Sequence, residues 1–176
     1  ALGLKNSFLY WVLSNWEYLR KILKNLLGLH PRECPCCGYL GKFKAFGHPP
    51  RYDAKCPQCG SLERHRLLFI IDRDKGILDG VQSILHFAPE PNVRNYLQNK
   101  VNKYTSADLF ESGVDLKEDI ENISLHSERM ESVLCSHVLA HVDDNKALES
   151  IYRILTPRGM LITLIPICGE SAQIYK

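Results

Sequence analysis

Short apolar runs alternate with helical patterns along the second half of the chain. The first run, residues 84–87, ends in Ala88-Pro89-Glu90-Pro91, and a helical pattern follows at once over 93–97. A strand, a sharp turn and a helix in this order predict the opening unit of a doubly wound sheet. Four further segments predict strands. Those at 104–108 and 114–119 each end in an acid, and those at 132–136 and 160–165 follow, the last one after a turn at 156–159. The pattern therefore predicts an α/β fold with a mostly parallel sheet and five visible strands.

A different pattern covers residues 5–29, where apolar side chains recur at helical spacing and Gly28 is a plausible stop. The residues on the apolar face are Phe8, Val12, Trp16, Leu19, Leu23 and Leu26. The opposite face is polar and basic, so the segment is predicted to be an amphipathic helix. It either packs on the protein or a second subunit, or makes peripheral contact with a membrane surface.

Two Cys-x-x-Cys pairs, each followed by glycine, lie between these two regions. Eighteen residues separate Cys37 of the first pair from Cys56 of the second. This spacing is typical of zinc ribbons and predicts Cys34, Cys37, Cys56 and Cys59 as ligands of Zn²⁺. Cys36 is an alternative to Cys37, and a redox pair is a further alternative. Four thiolates leave no open coordination position, so the predicted zinc is structural.

The residues after the second pair, 61–71, predict a helix with Ser61 at its N-cap. Its basic residues Arg64, His65 and Arg66, together with Arg51, either face an anionic substrate or pair with acids and carbonyls. Charged residues and glycine over 72–80 predict a boundary. The predicted parts are a helix at 1–30, a zinc module with its linker helix at 31–80, and an α/β domain at 81–176.

Composition narrows the function classes. The net charge of the 176 residues is +2, which argues against a nucleic-acid partner. No uncharged apolar run is long enough to span a bilayer, and 1–30 lacks the pattern of a signal peptide. Paired cysteines beside an enzyme-like domain indicate bound metal in a reducing compartment, so a cytoplasmic location is expected.

The turn after the first predicted strand indicates what kind of ligand the sheet would bind. The chain has neither Gly-x-Gly-x-x-Gly nor Gly-x-x-x-x-Gly-Lys, and Pro89 and Pro91 remove amide donors. Glu90 adds negative charge where a phosphate would lie. A cationic or zwitterionic nucleoside such as S-adenosylmethionine would tolerate that acid.

Six segments together resemble a known family. They are Cys-Pro-x-Cys-Gly-Ser-Leu-Glu-Arg-His-Arg at 56–66, Leu-His-Phe-Ala-Pro-Glu at 85–90, Ser-Ala-Asp-Leu at 106–109, Val-Asp-Leu-Lys-x-Asp at 114–119, Leu-Cys-Ser-His-Val-Leu-x-His-Val at 134–142 and Ile-Leu-Thr-Pro-Arg-Gly at 154–159. The chain resembles class I S-adenosylmethionine-dependent methyltransferases, which have a Rossmann-like fold. It is most similar to a small bacterial group with a Cys-rich amino-terminal segment.

The resemblance implies roles for particular residues. The residues implied to hold S-adenosylmethionine are His86, Phe87, Ala88, Glu90, Asp108, Leu109, Asp119, Ile120 and Ser136. In these roles, 86–90 wraps the methionine part, Asp108 accepts from the ribose hydroxyls, and Asp119 with Ile120 brackets the adenine. Ser136 and His137 line the methyl-transfer side, with His137 as the candidate catalytic base. The acceptor is expected to be a glycan or another small molecule.

Other interpretations of these residues stay open. Asp108 is alternatively a helix cap or loop acid, and Asp119 alternatively pairs with Lys117 or Lys103. His137 and His141 would share a face if both lay on one helix.

The sequence also departs from the family. The usual glycine-rich motif, normally led by an acid, is replaced by the segment that starts at His86. Ala140 stands where His-x-x-Glu-His-Val would place a carboxylate. The chain stops soon after the fifth strand, so the domain is expected to be incomplete, and an open sheet edge favours a homo-oligomer. These departures favour an alternative function, a non-catalytic zinc-bearing scaffold that binds a partner.

Overall fold

The computed structural model of the protein describes residues 15, 16, 20, 31–48 and 50–165. They divide into two compact units, whose boundary along the chain lies between Gly76 and Ile77. Of the helix predicted at 5–29, only Asn15, Trp16 and Arg20 are described, and all three are helical. The rest of that prediction lies outside the described residues. Among the helices that are described, none has the length and apolar character that a membrane span requires.

Over the described residues from 31 to 76, the first unit contains two short antiparallel hairpins followed by a helix. Its elements are β1 (Arg32–Glu33), β2 (Leu40–Gly41), β3 (Lys44–Phe46), β4 (Arg51–Lys55) and α1 (Glu63–Lys75). Strand β1 pairs with β2, and β3 pairs with β4. Helix α1 ends at Gly76, which has a left-handed backbone and donates its amide to the carbonyl of Asp72.

The start of α1 differs from the prediction by one residue. Ser61 was predicted as the N-cap, but the N-cap is Leu62. The Leu62 amide donates to Nδ1 of His65 at 3.2 Å, so a histidine side chain satisfies the amide at the helix start. Ser61 instead places its hydroxyl beside the cysteine thiols.

The second unit is a five-stranded parallel sheet with helices. Its elements are β5 (Ser83–Phe87), α2 (Pro91–Lys100), β6 (Lys103–Asp108), β7 (Leu116–Lys117), β8 (Met130–Ser136), a 3₁₀ turn (Leu139–His141), α3 (Asp144–Ile154) and β9 (Leu155–Leu164). The strand order is β7-β6-β5-β8-β9. This order confirms the predicted α/β, Rossmann-like fold class. The chain runs outward from β5 and then returns to β8, so the topological switch point lies between these two strands.

Strand β5 lies at the centre of the sheet, between β6 and β8, and both of its faces are covered. Leu85 and Phe87 belong to a buried cluster with Ile151 and Ile154 of α3. Side chains alternate along a strand, so Ile84 and His86 point to the opposite face, and both are fully buried. A strand buried on both faces explains the continuous apolar run in the sequence.

Two elements differ from their predicted lengths. The strand predicted at 114–119 is paired only at Leu116 and Lys117. The turn predicted at 156–159 lies inside β9 as a bulge, because Met130 pairs with Leu155 whereas Ser132 pairs with Met160.

Candidate functional site

The carboxyl ends of the central strands bring three predicted site residues into one row. Phe87 is in register with Ala107 on β6 and with Cys135 on β8. The next residues, Ala88, Asp108 and Ser136, therefore follow three adjacent strands. Strands lie about 4.8 Å apart, so the row is roughly 10 Å long. Its Ala88–Ser136 side is the topological switch point, where ligands of open α/β sheets bind.

The backbone turns sharply at two places along this edge. Ala88 after β5 and His137 after β8 both have left-handed backbones, with φ of 48° and 60°. Each donates its amide to the neighbouring strand, Ala88 to Ala107 at 3.0 Å and His137 to Leu164 at 2.9 Å. A left-handed non-glycine residue is strained, and such strain concentrates at ligand sites. Both turns redirect the chain away from the sheet at the predicted cofactor position.

A cavity of about 550 Å³ lies beyond the ends of β5 and β6. The residues that line it are Ala88, Pro89, Glu90, Pro91, Arg94, Asn95, Glu111, Ser112 and Gly113. Of the residues predicted to hold the cofactor, only Ala88 and Glu90 line this cavity. The side chains of His86 and Phe87 are buried in the sheet instead, so any contact they make with a ligand would come from the backbone.

One carboxylate oxygen of Asp108 binds the loop that follows β6, and the other is available as an acceptor. Its Oδ1 accepts from the amides of Phe110 and Glu111, both at 2.8 Å. The alternative interpretation as a loop acid therefore describes one of its oxygens. Its Oδ2 has no hydrogen-bond partner in the described part of the chain. The two loop amides fix the carboxylate at the strand end with Oδ2 available as an acceptor.

Asp119 has a similar local role. Its Oδ1 accepts from the amide of Glu121 at 2.9 Å, and the following residue, Ile120, is buried. Lys117 does not pair with Asp119, since its amine donates to the carbonyl of Glu111. Because Lys117 is in register with Asp108, Asp119 lies two residues beyond the same sheet edge.

The residues after β8 form the other end of the row. Ser136 is buried, and its hydroxyl has no hydrogen-bond partner among the described residues. His137 and His141 do not share a helix, because the 3₁₀ turn begins only at Leu139. Ala140 is exposed in that turn and supplies no carboxylate.

A polar contact that no sequence motif indicated lies on the α2 side of the sheet. Nδ1 of His86 lies 3.0 Å from the hydroxyl of Tyr104 on β6. The same hydroxyl accepts a hydrogen bond from Arg94 of α2, and burial raises the pKa of Tyr104 to about 12. These three residues come from three elements, so no local motif marks the contact. It connects the interior of the sheet to the wall of the cavity.

Four cysteines that could hold a metal ion lie together in the first unit. The thiols of Cys34, Cys37, Cys56 and Cys59 lie within 4.8 Å of one another. Cys34 Sγ is 3.7 Å from Cys59 Sγ, and Cys37 Sγ is 3.7 Å from Cys56 Sγ. Sulfurs about 2.3 Å from a zinc ion in a tetrahedron would be about 3.8 Å apart. The four cysteines therefore fit a tetrahedral metal ion, and they are the four predicted from spacing.

Backbone turns hold the two cysteine pairs in this arrangement. Gly38 donates to the carbonyl of Cys34 at 2.8 Å, and Gly60 donates to the carbonyl of Cys56 at 2.9 Å. Both glycines have left-handed backbones, which a residue without a Cβ adopts at no steric cost. The hydroxyl of Ser61 lies 3.2 Å from Cys59 Sγ, so a polar group also faces the sulfurs.

The group of four includes Cys37 and does not include Cys36. The thiols of that group differ in acidity. Burial raises the pKa of Cys37 to about 12. For Cys34, burial also raises the pKa, but hydrogen bonds led by that of Ser61 outweigh it and lower the pKa to about 6. Four thiolates this close together require a cation, so binding would release protons.

Two of the basic residues near this cluster have structural partners. Arg66 donates to the carbonyls of Ala54 at 2.9 Å and Ser61 at 2.8 Å, and its guanidinium lies 4.8 Å from the centre of the Phe43 ring. Arg51 forms an ion pair with Glu63 at 3.2 Å. For these two arginines the structure favours the interpretation as structural partners over contact with an anionic substrate.

The second unit is thus a Rossmann-like α/β domain with two sharp turns at its topological switch point. Residues 80–163 match a family model described as a methyltransferase domain. The match covers just under half of the chain, 84 of 176 residues. The matched residues are those of the α/β unit, so this part of the chain is similar to a methyltransferase domain.

Two solved structures are similar to about half of the chain. A candidate methyltransferase from Bacillus halodurans is 21% identical, with a TM-score of 0.49, and the alignment covers 56% of this chain and 51% of that one. An S-adenosylmethionine-dependent methyltransferase from Archaeoglobus fulgidus is 16% identical, with a TM-score of 0.41 and coverages of 52% and 48%. The chain therefore spans about half the length of each. No curated protein sequence matches the chain.

Proposed function

We propose that the protein binds S-adenosylmethionine at the carboxyl edge of the sheet and transfers its methyl group to an acceptor. The observation that carries the proposal is the row of Ala88, Asp108 and Ser136 at the switch point of the 80–163 methyltransferase domain. When bound, S-adenosylmethionine supplies the electrophilic methyl group. The protein's own task is then to position the acceptor and exclude water.

Asp108 and Asp119 would orient the nucleoside. Asp108 would accept from a ribose hydroxyl through Oδ2, since Oδ1 is already held by two loop amides. Asp119, two residues past the adjacent strand, would accept from the exocyclic amine of adenine, with Ile120 as the apolar neighbour. The buried hydroxyl of Ser136 would provide a polar contact at the opposite end of the row.

His137 is the proposed base if the acceptor is a hydroxyl. It follows β8 directly, and its backbone hydrogen bond to Leu164 fixes the turn on which it lies. The intrinsic pKa of histidine is close to neutrality, which suits proton removal. A glycan or another small molecule is the proposed acceptor class, and this choice rests on the family resemblance.

The metal is proposed to be a structural Zn²⁺. Four thiols within 4.8 Å of one another would complete a tetrahedron around the ion, which would leave no coordination position for a substrate. The ion would stabilise the first unit, in which hairpins of two to five residues supply little backbone pairing.

Isothermal titration of S-adenosylmethionine into zinc-loaded protein tests the cofactor proposal. Asp108→Asn is the informative variant, because the amide keeps an Oδ1 acceptor for the loop and replaces Oδ2 by a donor. We expect the dissociation constant to rise by about tenfold or more, the scale of a hydrogen bond to a charged acceptor. Asp79→Asn, at an exposed acid that precedes β5 and pairs with Lys100, is the matched control.

Absence of binding by well-folded protein would contradict the proposal. That result would favour the second candidate, a non-catalytic zinc-bearing scaffold. The observation that favours a scaffold is Ala140, an exposed residue without a carboxylate in the turn after β8. An Asp108→Asn variant that binds as tightly as the unaltered protein would instead refute the role of Asp108.

A further inference from the structure

The cavity beyond β5 and β6 combines one cation with two carboxylates. Arg94, Glu90 and Glu111 all line it. Arg94 lies in the first turn of α2, and its backbone amide donates to the carbonyl of Glu90 at 2.8 Å. The helix start therefore fixes the spacing between the arginine and one of the acids. A wall with both signs of charge is complementary to a zwitterion rather than to a simple anion.

The guanidinium of Arg94 has donors left for a ligand. Arginine carries five N–H donors in a planar fork. Nη1 makes a long contact of 3.5 Å with the carbonyl of Gly113, and the group also donates to Tyr104. Nε is shielded from solvent and has no hydrogen-bond partner among the described residues. A shielded donor without a partner is costly unless a ligand completes it.

Tyr104 and His86 hold this guanidinium in place. The hydroxyl of Tyr104 lies 3.0 Å from Nδ1 of His86, and the two rings meet edge to face with centres 5.9 Å apart. His86 is fully buried on the central strand. Its fixed ring therefore holds the tyrosine hydroxyl in position. The phenol accepts from Arg94, which leaves its own hydrogen for the imidazole. The arginine is therefore oriented from inside the sheet.

We propose that Arg94 binds the carboxylate of the α-amino acid headgroup of the ligand, while Glu90 and Glu111 face its ammonium group. The assignment rests on the proposed function, in which that headgroup is the methionine end of S-adenosylmethionine. A guanidinium matches a carboxylate with two parallel hydrogen bonds. Two acids in the same cavity disfavour a phosphate, which carries more negative charge and has no ammonium group.

The assignment also gives a role to a departure in the sequence. His86 stands where the family usually has an acid. In this chain that position supports Tyr104 and, through it, an arginine. The negative charges of the cavity come from two other residues. Glu90 follows four residues after His86, and Glu111 lies in the loop after β6.

Titrations with two ligands that differ only at the carboxylate test the assignment. S-adenosylmethionine and decarboxylated S-adenosylmethionine would be titrated into the unaltered protein and into Arg94→Gln. We expect the variant to bind S-adenosylmethionine about tenfold or more weakly. Its affinity for the decarboxylated compound should be unchanged or higher, because that compound has no group for the arginine. Arg158→Gln, an exposed arginine of the same unit that does not line the cavity, is the matched control.

Tyr104→Phe is a second variant. It keeps Arg94 in the sequence but removes the hydroxyl that orients its guanidinium. We expect it to weaken S-adenosylmethionine by a smaller factor and to leave the decarboxylated compound unaffected. Equal loss of both ligands in Arg94→Gln, or no loss of either, would overturn the assignment while S-adenosylmethionine binding stands. No binding of either compound by the unaltered, folded protein would overturn the proposed function, and this assignment with it.

Discussion

Replacing Cys37 and Cys36 one at a time by serine separates a metal ligand from its immediate neighbour. Only Cys37 belongs to the group of four thiols within 4.8 Å, and its sulfur lies 3.7 Å from that of Cys56. The two substitutions make the same chemical change at adjacent positions. We expect Cys37→Ser to weaken metal binding strongly and Cys36→Ser to leave it close to that of the unaltered protein.

The expected magnitude follows from the composition of the first unit. Zn²⁺ bound by four ligands in a small domain contributes about 10–16 kcal/mol. If the four thiolates share this equally, losing one costs about 3–4 kcal/mol, or two to three orders of magnitude in the dissociation constant. Among the residues of this unit that the structure describes, the large apolar side chains that are buried are Phe43, Leu62 and Leu68, each worth at most about 3 kcal/mol. A loss of this size should therefore also lower the thermal midpoint of the unit.

Metal content after dialysis against a weak chelator, together with thermal unfolding, measures both effects. A competition titration with a chromophoric chelator gives the dissociation constant directly. The reasoning would be refuted if Cys36→Ser lost the metal and Cys37→Ser retained it. It would also be refuted if both variants bound metal as the unaltered protein does.

Three further predictions concern the second unit. Hydrogen bonds from the hydroxyl and amide of Ser106 lower the pKa of Asp115, so its stabilising effect is present above the usual carboxyl pKa and is lost as the pH falls through the lowered value. The stability difference between the unaltered protein and Asp115→Asn should therefore shrink on acidification in urea titrations, and a constant difference would contradict it. Gly159→Ala would place a Cβ 2.8 Å from the carbonyl of Thr156, and we expect a loss of about 1–3 kcal/mol in the free energy of unfolding. An unchanged denaturation midpoint would show that the bulge opens freely. Ser150→Ala leaves a buried backbone amide of the loop after β7 without its acceptor at 2.9 Å, which should cost about 1–3 kcal/mol in the same assay, whereas Ser150→Thr should retain part of it.

The central strands were predictable because their signal is local. Strands β5 and β8 are buried nearly along their whole length, so each contains a short apolar run that ends at a polar residue or a turn, whereas β6 is only partly buried and ends in an acid. The order of strands along the chain, combined with the preference for parallel pairing in such folds, was enough to place Ala88, Asp108 and Ser136 at one edge.

The elements that sequence reasoning misjudged are those decided by side-chain contacts across the chain. The strand predicted at 114–119 is short because Asp115 turns to Ser106, and Glu118 accepts from the amide of Ser124 at 2.8 Å. Ser61 fits an N-cap by type, yet its hydroxyl is drawn to the cysteine sulfurs. In each case a polar side chain had two possible partners, and the sequence shows only the nearer one.

The candidate site also contains residues that a local pattern marks and contacts that no local pattern marks. Asp108 was predictable because it ends a strand. The contact of Arg94 with Tyr104 and His86 joins a helix to two strands, and no spacing in the sequence marks it. The cavity was likewise not predictable, because it is closed by the loop at 111–113, whose position depends on the length of β7.

The chain lacks the glycine motif, yet the turn after β5 still has a left-handed backbone, at Ala88. A left-handed non-glycine residue costs about 1–2 kcal/mol, and Ala88 persists in that conformation because its amide is tied to Ala107 on the adjacent strand at 3.0 Å. The proline that follows it further limits the turn, since its ring disfavours a helical backbone at the preceding residue. His137 repeats the arrangement across the switch point, with its amide tied to Leu164 at 2.9 Å. The chain can therefore dispense with glycine at this edge because neighbouring strands hold both turns, and the positions of Ala88 and His137 follow from the register of the sheet.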